Sequence, residues 1–108
     1  MNLDLITFIS EYYQLKMDSI HGPLEMLRNL SQTHNDEVLM ASMAYRSQII
    51  DLDTAFFEKA ITATNFNLDE ILKNPSGLES TMKQLLIFIA LQIGEEVAKF
   101  YDKEVEKI

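Results

Sequence analysis

The sequence predicts an all-α fold, an elongated antiparallel helical bundle, and three observations carry the prediction. Apolar residues recur at three- and four-residue spacing along almost the whole chain, which gathers them on one face of a helix. No segment sustains the apolar–polar alternation of a half-buried strand, and no Asn-Gly or Asp-Gly dipeptide offers a hairpin turn. The three glycines and two prolines fall where helices are expected to break.

The elements follow in order. A first helix is expected from about Leu3 to Ile20, with Leu5, Phe8, Ile9, Tyr12, Leu15 and Ile20 on its inner stripe. His21-Gly22-Pro23 interrupts it, because the residue before a proline disfavours helical geometry and proline suits a first helical position. A short continuation runs from Pro23 to about Leu30, with Leu24, Leu27 and Leu30 on one side. Thr33 or Asn35 can cap the next helix, and Asp36 and Glu37 complement the positive end of its dipole. That helix is expected to run unbroken to about Thr64. One stripe holds Val38, Tyr45, Ile49, Leu52 and Phe56, and a neighbouring one holds Leu39, Met43, Ile50, Phe57 and Ile61. Two adjacent stripes suit a helix that touches two neighbours.

Asn67 to Glu70 has the pattern of a capping box and opens a short connecting helix through Lys73. Asn74-Pro75-Ser76-Gly77 is a break, and Ser76 to Glu79 repeats the capping pattern at the head of the last helix. That helix runs to about Lys107, with Met82, Leu85 or Leu86, Ile89, Ile93, Val97, Phe100 and Val105 expected on its inner stripe. The third and last segments each measure roughly 40–45 Å at a helical rise of about 1.5 Å per residue. The expected architecture is therefore three main segments, the first broken at Gly22-Pro23, plus the short connector. All of it forms one domain over residues 1–108, since the length suits one domain and no repeat or composition shift divides it.

Composition limits function. There is no cysteine, which excludes a disulfide framework, a thiolate zinc site and cysteine catalysis. Seventeen acidic residues against nine basic ones give a net charge of −8. This disfavours nucleic-acid backbones and acidic membrane surfaces, which are bound through clustered Lys and Arg. The same charge would attract a basic protein partner. Met1-Asn2-Leu3-Asp4 does not resemble a secretory signal, and the longest apolar run, Leu85 to Leu91, is far below the roughly 20 residues of a membrane span. A cytoplasmic location with no membrane contact is the expectation.

Candidate chemical sites are few. His21 and His34 are the only histidines, and neither follows a Glu at the spacing of a helical di-iron site: position 18 is Asp18 and position 31 is Ser31. A cluster of cations for a dianionic substrate has only Arg28 and Arg46 as arginines. The acidic pairs Asp51/Asp53, Glu95/Glu96 and Glu104/Glu106 lack the three- or four-residue spacing that makes carboxylates face one another. Glycine-rich phosphate loops are absent, because the glycines are isolated. The expectation is a chain with no catalytic residues, no cofactor and no metal.

The run Leu85-Leu86-Ile87-Phe88-Ile89-Ala90-Leu91 is apolar on every side of a helix. Either this helix is central and the whole run is core, or one side serves the bundle and its outer face meets another chain. Ile87, Phe88 and Leu91 lie off the bundle side and form a candidate interface, and Tyr13, beside the inward Tyr12, joins them as an amphipathic contact residue. The expected function is non-catalytic protein–protein interaction, with a homodimer through the last helix and a basic protein as candidate partners. Small acidic helical proteins of immunity, inhibitor, antitoxin-like or secretion-chaperone type offer a fold-level analogy. The alternative is an apolar-ligand or lipid-binding bundle, lined by Phe8, Phe56, Phe57, Phe88 and Phe100.

Overall fold

The computed structural model describes residues 5–31, 35–63 and 75–108. Five helices account for nearly all of them: α1 (Leu5–Ser19), α2 (His21–Ser31), α3 (Asn35–Ile50), α4 (Thr54–Ala63) and α5 (Pro75–Glu106). No strand occurs among the described residues. α1 and α2 are the two pieces of one bent segment, α3 and α4 of a second, and α5 is the third. The chain is an all-α bundle of three segments, 61 × 20 × 19 Å. Its radius of gyration, 17.5 Å, exceeds the ~13 Å of a compact domain of this length, in keeping with an elongated bundle. No helix is long and apolar enough to cross a membrane among the described residues. The connecting helix expected over Asn67–Lys73 lies outside them.

Contacts give the segments their directions. Phe8 and Tyr12 of α1 meet Phe56 of α4, while Lys16 reaches Asp51. Tyr101 reaches Ser42, and Gly94 lies against Ile49 and Ile50. The middle segment therefore runs antiparallel to both of the others. The core between them comprises Phe8, Tyr12, Ile20, Leu24, Leu27, Ile49, Phe57, Leu86, Ala90, Ile93, Val97, Ala98 and Tyr101.

The first bend falls at Ile20, just upstream of the expected break. The Leu24 N–H donates to the Ile20 carbonyl, so His21, Gly22 and Pro23 form the first turn of α2. Proline is accommodated there because the first backbone N–H groups of a helix have no intrahelical acceptor. Gly22 is thus helical, and an added side chain there would meet nothing within 4 Å.

The second bend corrects the expected unbroken third helix. The chain leaves helical geometry at Asp51, Leu52 and Asp53. Asp53 then caps α4: its Oδ1 accepts a 2.9 Å bond from the Phe56 N–H. α1 holds this bend from across the bundle. Tyr12 Oη accepts the Asp53 N–H at 2.9 Å, and Lys16 Nζ donates to the Asp51 carbonyl at 2.6 Å.

The inner stripe of α5 holds the expected Ile93, Val97 and, of the two alternatives, Leu86, but departs from expectation at Phe100. Leu85 and Phe100 are each about two-fifths exposed, and the buried positions are Leu86, Ala90, Ile93, Gly94, Val97, Ala98 and Tyr101. Ala90, Gly94 and Ala98 repeat every four residues, a small-residue row that lets another backbone come close. An added Cβ at Gly94 would lie 3.1 Å from the Ile49 carbonyl oxygen and 3.3 Å from the Ile50 Cα. Gly94 is therefore a mid-helix contact point and not a break. α5 itself starts at Pro75, so Ser76 and Gly77 lie inside its first turn.

Candidate interaction surface

α1 and α5 run side by side, and a shallow groove opens between them. Ile9 and Tyr13 stand one turn apart on α1. On α5, Phe88 and Gln92 stand one turn apart, as do Ile89 and Ile93. Together with Glu96 these residues line an open groove of about 460 Å³. Ile93 is buried and Ile89 half-buried, and both belong to the core or pack against it. Phe88 stands out at 60% exposed, flanked by Tyr13 at 44% and Ile9 at 40%. Glu96 is on the polar side and pairs with Lys99 at 3.1 Å.

The four residues singled out from the sequence divide. Tyr13 and Phe88, 75 positions apart in the chain, are brought to the same groove. Leu91 is exposed but does not line it, lying on the other flank of α5. Ile87 is half-buried and packs against the core. Sequence reasoning assigned Ile9 to the core stripe, whereas it is a wall of the groove. Ile6, at 73% exposed, extends the same flank of α1, and Leu85 extends the α5 side. The signal was present: Ile6, Ile9 and Tyr13 follow three- and four-residue spacing and make a second apolar row on α1.

Two other features stand apart from this groove. A polar knot ties α1 to the second bend. Lys16 is only 5% exposed, its Nζ 5.5 Å from the centre of the Tyr12 ring. Burial lowers the Lys16 pKa below the usual lysine value, opposed by the carboxylates of Asp53 and then Asp51. Burial likewise raises the Tyr12 hydroxyl, although the bond from the Asp53 backbone acts the other way. A hollow of about 220 Å³ lies beside the knot, between Pro23 and Tyr45. The second feature is an exposed row on α3: Leu39, Met40 and Met43.

The phenylalanines expected to line a ligand chamber do not converge. Phe8 and Phe56 pack with Tyr12 at ring separations of 5.4–6.1 Å, whereas Phe88 and Phe100 face outward. His21 is exposed in the first turn of α2. Among the described residues, no group of three or more His, Asp or Glu side chains is placed to hold a metal ion.

Comparison of the chain with protein-family models, with curated proteins and with solved structures finds no match.

Proposed function

We propose that this chain is a non-catalytic protein–protein interaction module, and that it pairs with a second copy of itself through the α1/α5 face. The observation that supports this most is the meeting of Tyr13 and Phe88 with Ile9 in one apolar groove, outside the buried core of the described residues. Contiguous exposed apolar surface of this kind marks interaction sites, whereas single exposed side chains do not.

The face has both parts of a self-complementary contact. Phe88 projects from it, and Ile9, Tyr13 and Ile93 form a depression beside it. A two-fold arrangement places each Phe88 over the partner's depression and hides both faces at once. Fully burying an apolar side chain is worth about 1.5–3 kcal/mol. Six half-exposed side chains, three from each copy, then contribute roughly 5–9 kcal/mol, with Ile6 and Leu85 adding to that. Association itself costs about 4–15 kcal/mol, so the pairing is concentration-dependent. Two chains of −8 repel, and moderate salt strengthens the pair.

Sedimentation of the wild type and of Phe88→Glu over a range of concentrations tests the proposal. The wild type is expected to shift from monomer to dimer with concentration, and the variant to remain monomeric with unchanged helix content. A wild type that stays monomeric at high micromolar concentration defeats the pairing.

A further inference from the structure

α3 is anchored along one side and bare along another. Ser42 and Ile49 are buried. The Tyr101 hydroxyl donates to the Ser42 carbonyl at 3.0 Å, and the Arg46 Nε lies 3.1 Å from both carboxylate oxygens of Asp102. These contacts fix α3 to α5. The other side carries Leu39, Met40 and Met43, exposed at 66%, 74% and 64%. They lie within five consecutive residues of one helix, at the three- and four-residue spacing that stacks side chains on a shared face.

We propose that this face docks a positively charged amphipathic helix of a partner protein. The shape supports a helix. Leu39 and Met43 border a hollow of about 210 Å³ that continues to Tyr101, Asp102 and Val105. An apolar row beside a shallow hollow is the receptor half of helix-in-groove recognition. The side chains support an adaptable contact, because methionine is unbranched and polarizable and reshapes itself around different apolar knobs.

Charge selects the partner. Asp36 and Glu37 are exposed in the first turn of α3, and Asp36 is one turn before Met40 on the same face. Arg46 borders the hollow, but Asp102 already opposes its charge. The end of the row nearest Asp36 and Glu37 is therefore acidic, while the hollow itself is balanced by the Arg46–Asp102 pair, on a chain of net charge −8. A second copy would bring the same carboxylates against their own kind, whereas a lysine- or arginine-rich helix complements them. This face is separate from the pairing face: Tyr101, Asp102 and Val105 lie on the opposite flank of α5 from Phe88, Ile89 and Gln92.

The test titrates a synthetic amphipathic helix of leucine and lysine into the full chain labelled with ¹³C at the methionine methyls. The methyl signals of Met40 and Met43 are expected to shift and saturate, while that of Met26, on α2, stays in place. A leucine–glutamate peptide of the same pattern is expected not to bind. Met40→Glu combined with Met43→Glu is the decisive variant, because it adds negative charge while destroying the apolar face. Affinity is expected to fall at least about tenfold, a loss of roughly 1.4 kcal/mol. Equal or tighter binding by that variant overturns the proposal, as do shifts confined to Met26 or equal binding of the glutamate peptide. Repeating the titration on Phe88→Glu separates this face from pairing, since loss of the dimer is expected to leave the methionine shifts unchanged.

Discussion

The ammonium of Lys16 donates a 2.6 Å hydrogen bond to the backbone carbonyl of Asp51, 35 residues further along the chain. The carbonyl lies just beyond the last residue of α3, where helix dipoles favour a cation. The bond secures the bend between α3 and α4 to the last turn of α1. Lys16→Met keeps the apolar stem and removes the donor. The variant is expected to lose about 1–3 kcal/mol, the range for a polar group left without its partner. Thermal unfolding checks this, with an expected fall in Tm of roughly 4–8 °C per kcal/mol for a domain near this size. An unchanged Tm would show that the bend holds itself.

That bond also explains where sequence reading stopped. Helical periodicity passes through Ile49, Leu52 and Phe56 without a fault, so residues 35–63 look like one helix. The bend is set by Tyr12 and Lys16, which are remote in sequence. Its only local sign is Asp53 before Thr54, a capping residue ahead of a helix start. The inner stripe of α5 departs from its periodicity at Phe100 for a related reason. Hydrophobicity points to large side chains such as Phe100, but close approach of α3 selects the small Ala90, Gly94 and Ala98 as well. The fold class was legible because three- and four-residue spacing is a local property. Half of the candidate surface was legible as well: Phe88 is apolar on the side opposite the core, and Tyr13 is adjacent to a core tyrosine. The spacing of Ile9 fits both the core stripe and the outer row of Ile6 and Tyr13, and how α5 lies against α1 decides between the two.

Gly94 permits a close approach between α3 and α5. An added methyl there would press on the backbone at Ile49 and Ile50, next to the bend that Lys16 and Tyr12 hold. Alanine favours a helix interior by about 1 kcal/mol over glycine. Overpacking against a backbone that cannot withdraw costs about 1–3 kcal/mol. Gly94→Ala is therefore expected to be neutral to destabilising, and Gly94→Val clearly destabilising. Urea unfolding distinguishes the two. A Gly94→Ala protein more stable by the full helix-propensity gain would mean that α3 shifts freely.

Tyr101 links stability to alkaline pH. Its hydroxyl is buried against the Ser42 carbonyl, and its pKa is pushed up to about 12, by burial first and then by Asp102 and Tyr45. The folded state thus keeps this proton longer than the unfolded chain, where tyrosine titrates near 10. The associated stability is fully present below pH 10 and is lost as pH rises from 10 through about 12. At neutral pH, Tyr101→Phe is expected to lose about 1 kcal/mol with the hydrogen bond. The gap between wild type and variant should then narrow above pH 10. Unfolding curves at neutral pH and at several values above 10 check this, and a gap independent of pH contradicts it.

The pairing of two copies across the α1/α5 face can be measured at a single atom, because the chain contains no cysteine. Gln92 lines the groove, and Glu25 is exposed on α2. Each is replaced in turn by cysteine and treated with a short bismaleimide at micromolar protein. Gln92→Cys is expected to give a covalent dimer whose yield rises with concentration and falls when Phe88→Glu is added. Glu25→Cys is expected to stay monomeric. Equal cross-linking at both positions, or none at Gln92→Cys while the protein sediments as a dimer, would contradict pairing through this face.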